Sequence, residues 1–267
     1  MALALHAPYQ GLAESDGCTA RQTHRSDWFG TDSWEHMTRL ATEGWPEGCQ
    51  QMAEIVQKID LATAGAVMVP QPVWDVTGDF VDVEAFIKGE PENMVRWEEL
   101  ETQKRVARIA FNISVSGAVS TEAIRWKGAT VLALIDRLEA QGIRVELDLA
   151  NPVKNWEKPI STHCLWYNVK KADQPLHLDR LAFHLVNPSA LRRLGFSAES
   201  AQPAEIVNRM GFYTGGCYGL PIALKADQTK GYDLVIPEFH LDSVAEAVKQ
   251  IEEMFETVCQ AGSLTIG

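Results

Sequence analysis

Arg105–Leu149 reads RVARIAFNISVSGAVSTEAIRWKGATVLALIDRLEAQGIRVELDL. An apolar β-branched run comes first, then a polar turn, a long segment with apolar residues at helical spacing, and a second alternating run. This predicts strand 105–115, helix 120–141 and strand 143–149, and ARIAFNI suits a strand buried on both faces. Downstream we read strand 163–171, helices near 178–187, 189–194 and 201–210, a Gly-rich turn at 214–219, strand 232–236 and a final helix 242–260. Strands alternating with helices make an α/β fold, a mostly parallel sheet flanked by helices. The 150–162 connection is compatible with a hairpin, so an antiparallel edge strand is expected beside the parallel ones.

Upstream, residues 1–26 form an extended lead-in, and residues 27–100 an N-terminal extension of helices and short strands before the α/β domain of residues 101–267. Thr31 or Asp32 is placed to cap a helix beginning near Ser33, with Trp34, Met37, Leu40 and Ala41 at helical spacing and Gly44 ending it. Pro46 opens a second helix. Residues 66–82 read as short strands or extended coil, and Val83–Lys88 as a short helix followed by an acidic loop.

At 267 residues and 46% hydrophobic, the chain can bury a sizeable core. A net charge of −12 argues against wholesale electrostatic binding to nucleic acid, though not against a local basic patch. No apolar run reaches the ~20 residues that span a bilayer, so no membrane contact is expected. The start, MALALHAPYQGL, lacks a basic region followed by a long apolar one, and no signal peptide is expected. The five cysteines are odd in number, far apart and without a CxxC pair, which supports neither a zinc ribbon nor a disulfide framework. A reduced, cytoplasmic protein is the expectation.

The turn Asn112-Ile113-Ser114-Val115-Ser116 at the end of the first strand resembles the opening of a von Willebrand A domain, a Rossmann-type fold. That family places Asp-x-Ser-x-Ser there and completes a magnesium site with a later Thr and a later acid. The resemblance implies that Asn112, Ser114 and Ser116 hold the first motif, Thr214 in FYTGGCYGLPIAL the Thr loop, and Glu238 after YDLVIP the late acid. Here Asn stands at the first position: it keeps a carbonyl oxygen but drops a charge. Magnesium usually keeps at least one or two carboxylates. We therefore expect the three residues to cap the helix and tie the loop, with magnesium the only cofactor the resemblance would add.

A second resemblance rests on DWFGTDSWEHMTRLATEGWPEG, with Gly44, Trp45, Glu47 and Gly48, and on KKADQPLHLDRLAFHLVNPSALRRLGF. Together they are similar to a family of uncharacterised phage and prophage proteins. The resemblance implies a phage setting, where proteins of this size include single-stranded-DNA-binding cofactors of transcription.

Other chemistry is thin. The seven histidines contain no HExxH, and His177 and His184, seven apart, read better as satisfied histidines than as a metal pair. Cys217 has no base nearby in sequence. Gly215, Gly216 and Gly219 fit neither GxGxxG nor a P-loop, and no nucleophile elbow or kinase set appears. The best basic stretch is Leu191-Arg192-Arg193-Leu194-Gly195-Phe196, with Lys170, Lys171 and Arg180 upstream. Two arginines beside Phe196 suit phosphate contact and base stacking. The plainer reading is a helix end whose arginines satisfy terminal carbonyls and pair with Glu199 or Glu205. The eight tryptophans more often mean core or interface than a stacking platform.

Two functions follow as expectations. The first is a non-enzymatic phage binding or assembly factor that meets a protein partner at the strand-end loops around Asn112–Ser116, Thr214–Tyr218 and Glu238. The second is a single-stranded DNA binder using Lys170, Lys171, Arg180, Arg192, Arg193 and Phe196, which requires a basic stripe on an acidic surface. A hydrolase at the same loops would need an activated water or nucleophile that the sequence does not supply. Oligomeric state stays open.

Overall fold

The computed structural model describes residues 12, 26–50, 57, 71–98, 106–212, 218–238 and 243–263. In chain order the elements are α1 (Ser26–Phe29), α2 (Trp34–Glu43), β1 (Gln71–Asp75), β2 (Phe80–Val81), α3 (Val83–Ile87), β3 (Met94–Glu98), β4 (Val106–Asn112), α4 (Thr121–Ala140), β5 (Arg144–Lys154) and β6 (Thr162–Lys170). After these come α5 (Leu178–Val186), a π-helical segment (Ala190–Gly195), α6 (Phe196–Ser200), α7 (Ala204–Met210), β7 (Leu220–Pro221), β8 (Leu234–Ile236) and α8 (Val244–Ser263).

The main sheet runs β6-β5-β4-β8, with β7 added on the far end of β5. β4 is parallel to β5 and to β8, while β6 and β7 are antiparallel to β5. The expected antiparallel edge strand is present, but the sheet is mixed rather than mostly parallel. The reason is β7: a short strand with too little apolar pattern to show in sequence closes a second antiparallel pairing.

α4 is capped by Ser120, whose Oγ accepts from the Ala123 N–H at 3.1 Å, and residues Lys127–Ile135 are buried without a break. A helix buried all round lies between layers; α4 packs against β5, α5 and α8. Gly128 makes the α4–α5 approach possible, because a Cβ there would sit 2.2 Å from the Leu185 carbonyl oxygen.

The opposite face of the sheet is only half covered. Ile109, Ala110, Phe111 and Asn112 are buried, whereas Val106 and Arg108 are exposed. So the expectation of a strand buried on both faces holds for the second half of β4 alone. Around Arg108 the open face carries Glu146 at 3.9 Å, and Tyr232 stacked on Trp166 with ring centroids 5.7 Å apart. The Tyr232 hydroxyl donates to Asp148 Oδ2 at 2.7 Å.

α2 is capped by Ser33, which accepts from the His36 N–H at 3.0 Å, rather than by Thr31 or Asp32. Gly44, with φ of 101°, ends it as expected. Met37 and Leu40 enter the same apolar cluster as β4, α4 and α5, and the Trp45 N–H donates to the Asp179 carbonyl. Residues 26–45 thus share the main core. Residues 71–98 instead form their own three-stranded antiparallel sheet, β1-β3-β2. Among the described residues, no helix is long and apolar enough to cross a membrane.

Candidate functional site: a strand-end cleft

Asn112 ends β4 and is 1% exposed. Its Oδ1 accepts from the Ser114 N–H at 2.9 Å and from Ser114 Oγ at 2.7 Å, and its Nδ2 donates to the Ile222 carbonyl at 3.1 Å. An amide, and not an acid, can make all three of these bonds. A carboxylate could make the first two contacts but could not donate the third. Ser116 is exposed; its Oγ accepts from the nearby Ala118 N–H at 3.4 Å and its carbonyl from the Val119 N–H at 3.0 Å. Asn112 and Ser114 tie the loop as expected, whereas the helix cap expected of these residues is supplied by Ser120.

A fixed positive charge already lies beside them. Lys127, near the start of the buried run of α4, is 5% exposed; its Nζ donates to the Asn112 carbonyl at 2.7 Å and lies 4.9 Å from the Phe111 ring centroid. Burial pulls its pKa down to about 8, with the charge of Glu238 opposing. Glu238 is exposed after β8, and its charge acts on this ammonium. Thr214 lies outside the described residues. Among the described residues no group of three or more His, Cys, Asp or Glu side chains could hold a metal ion. Asn112 and Ser114, with their oxygens engaged and no carboxylate added, do not fit magnesium.

The basic residues are not one stripe. Arg192 and Arg193 are each 1% exposed. The i→i+5 winding of the π-helical segment turns both adjacent side chains toward the 28–31 backbone. Arg192 donates to the Trp28 carbonyl at 2.8 Å and the Val119 carbonyl at 2.7 Å, with Cζ 4.3 Å from the Trp28 ring. Arg193 donates to the Thr31 carbonyl at 2.9 Å and sits 4.4 Å from the Phe29 ring. They satisfy carbonyls, but of a distant segment rather than of their own helix. Glu199 and Glu205 are not their partners. Lys170 is buried in an ion pair with Glu139 and donates to the Val145 carbonyl at 3.0 Å. Lys171 is exposed and Arg180 half-buried, well back along β6 and α5. As free phosphate-meeting cations, Lys170, Arg192 and Arg193 are corrected by this burial.

What the fold does bring together is a cleft of about 270 Å³ outside the carboxyl ends of β4 and β5. Trp28, Trp156, Phe196 and Tyr218 line its apolar parts, and Ser114, Asn151 and Arg192 supply polar ones. Phe196 stacks on Tyr218 with centroids 4.1 Å apart, while Trp156 is 61% exposed. Burial lowers the Arg192 pKa to about 10, which leaves it cationic at neutral pH. Beneath the cleft, Asn151 Nδ2 donates to Glu199 Oε1 at 3.1 Å, and His163 Nε2 lies 3.3 Å from Glu199 Oε2, off the hydrogen-bond axis. Burial pushes the Glu199 carboxyl up, with His163 and Asn151 opposing. Burial, helped by Glu199, also pushes the Cys164 thiol up to about 12.

Sequence reasoning did not single out Trp28, Asn151, Trp156 or Lys127 for this site. Two of them leave a trace. Trp156 sits among Lys154, Asn155, Glu157 and Lys158, where no core is expected, and Lys127 interrupts the start of an otherwise apolar helical run. His177, exposed at the start of α5, and His184, buried, share no common environment for a metal.

No curated protein and no solved structure matches the chain. A family model described as a domain of unknown function, DUF7192, matches residues 5–259. With nearly its whole length matched, the chain belongs to the DUF7192 family.

Proposed function

We propose that the protein is a non-enzymatic, phage-encoded binding factor whose von Willebrand A-like α/β domain engages a macromolecular partner at the strand-end cleft. The observation that carries this is the cleft itself, aromatic-walled, lying where open α/β sheets take their ligands. The polar groups in the cleft and around it suit recognition better than turnover. Asn112 and Ser114 are spent on the loop, Glu199 is held under the surface by Asn151, and the Cys164 thiol stays protonated at neutral pH. Trp156, exposed at the mouth, is the natural contact for a planar or apolar group of the partner. The von Willebrand A likeness draws support from β4, its Asn-x-Ser-x-Ser turn and α4; the phage setting rests on sequence resemblance.

The test is to place a photo-crosslinking side chain at position 156 and irradiate phage-infected host cells. We expect one dominant crosslinked species, competed by unlabelled protein. No such species, or hydrolytic turnover abolished by changes in the cleft, would overturn the proposal. Single-stranded DNA is the second reading, favoured by one observation: Trp156 and Phe196 offer stacking faces on one cleft. Its rank follows from the net charge of −12 and from the burial of Arg193 and Lys170. Anisotropy of a labelled oligonucleotide at about 50 and about 200 mM salt separates the two. Salt-sensitive binding that W156A abolishes would put DNA first.

A further inference from the structure

The small sheet presents apolar side chains to solvent in an ordered way. Trp74, Val95 and Phe80 are directly opposite one another across β1, β3 and β2, so they stand on one face. Trp74 is 48% and Phe80 62% exposed. The Trp74 indole N–H donates to Asp82 Oδ2 at 2.9 Å, and Asp82 is the N-cap of α3, which brings this row to the start of that helix. On α3 itself, Val83, Phe86 and Ile87 follow i, i+3, i+4 spacing and are 65, 63 and 78% exposed, while Ala85 is the buried residue. An amphipathic helix normally turns that stripe inward. Here it faces out, continuous with an apolar sheet row, and a patch of this kind marks an interaction surface.

The charge around the patch states what covers it. Between Trp74 and Glu92 the chain carries six carboxylates (Asp75, Asp79, Asp82, Glu84, Glu90 and Glu92) and one cation, Lys88. Lys88 Nζ is already paired with Glu84 Oε1 at 2.7 Å. A second copy of this chain would set one acidic rim on another, with −12 on each molecule. Anionic lipid and nucleic acid meet the same repulsion. We propose that this face docks a basic amphipathic helix of another protein, its apolar stripe laid across Phe80, Phe86 and Ile87 and its lysines or arginines meeting the carboxylate rim. The surface goes beyond the strand-end cleft and does not depend on it.

The full-length protein is titrated with a labelled helical peptide of about 15 residues carrying leucines at i, i+3, i+4 and i+7 and lysines along their edges. Two controls are a peptide with glutamates for the lysines and a scramble of the lysine peptide. We expect saturable binding of the lysine peptide that weakens with salt, and at least about tenfold weaker binding of both controls. F86S/I87S should weaken it by about tenfold or more, while W156A leaves it unchanged; failure of one surface is thus read separately from failure of the other. Circular dichroism melts verify that F86S/I87S is folded, and the rim variant D79N/E84Q/E90Q tests the charge without touching the patch. Equal binding of the glutamate peptide, indifference to F86S/I87S, or no binding of any peptide overturns the proposal. So does concentration-dependent dimerisation in sedimentation that F86S/I87S removes, which would assign the face to a second copy.

Discussion

Arg193, a cation, is 1% exposed, whereas Ile87, an aliphatic side chain, is 78% exposed. The two belong to regions that use polarity in opposite senses. At the strand ends Lys127, Arg192, Arg193 and Glu199 all lie inside, each held by named partners. In the 71–98 sheet, Phe80, Val83, Phe86 and Ile87 lie outside. Burying a charge costs free energy unless hydrogen bonds compensate, so the first arrangement requires a rigid, fully built surround. An exposed apolar stripe needs no surround to persist, only something to meet. The first region is a preorganised frame, and the second is an open surface.

The largest effect expected from that contrast is on the frame. Arg193→Ala removes the bond to the Thr31 carbonyl and the stacking on Phe29, and it opens a void in a dry region. A charged hydrogen bond of about 1.5–3 kcal/mol plus a cavity cost gives a loss of about 3 kcal/mol or more in urea denaturation. A loss under about 1 kcal/mol would mean that the 28–31 segment is not bolted through this side chain. Asn112→Asp comes next. It removes the donor to Ile222 and buries a carboxylate, with Lys127 near enough to offset part of the cost, so about 2 kcal/mol is expected. Melting with and without magnesium checks the chemistry: no rescue is expected, and a magnesium-dependent rise in Tm would show that an acid at position 112 restores a metal site.

Lys127 gives a smaller effect with a definite sign. Its folded pKa, about 8, lies below the ordinary lysine value of 10.5, so the folded state binds fewer protons than the unfolded chain between those values. Stability therefore rises with pH from about 8 and levels off above the unfolded pKa. From about pH 7 to about pH 9 the gain attributable to this group is about 1 kcal/mol. Measured as the difference between the wild type and Lys127→Met, that rise should vanish in the variant. An identical pH profile in both would place the ammonium in water, outside the frame.

How much of each region shows in the sequence follows from where its determinants lie. Helix 120–141 was legible because its apolar middle is a local signal, although its cap is Ser120 rather than the Asn112–Ser116 residues expected to supply it, and Gly142 with φ of 76° lies just past the end. The antiparallel edge strand was legible from the shortness of the 150–162 connection. The short helix Val83–Lys88 was legible too, but not that its apolar stripe faces solvent, since a pattern gives period and not direction. The adjacent arginines misled toward a surface because their partners, the carbonyls of Trp28 and Thr31, are some 160 residues away in the chain. The same distance hid the joining of 26–45 to the main core. The cleft combines residues from five separate stretches between Trp28 and Pro221: Ser114 and Tyr218 lie in the strand-end loops the sequence pointed to and Arg192 and Phe196 in its basic stretch, whereas of Trp28, Asn151 and Trp156 only the exposed Trp156 leaves a local trace.

The smallest stability effects are expected where binding effects are expected to be large. F86S/I87S and W156A each replace side chains that are already mostly in water, so both should melt within about 0.5 kcal/mol of the wild type. This outcome is what distinguishes a surface from a frame. If F86S/I87S were destabilised by 2 kcal/mol or more, a cost typical of truncating buried apolar side chains, Phe86 and Ile87 would be packed in solution. The contrast drawn between the regions would then fail at its outer half. If W156A alone were destabilised, Trp156 would belong with Trp28 and Phe196 to the bolted frame, and the mouth of the cleft would be a wall. Near-neutral melts for both, set against the loss expected for Arg193→Ala, would locate the folding free energy in the buried charges and their apolar surround, leaving both exposed sites free to change with the partner.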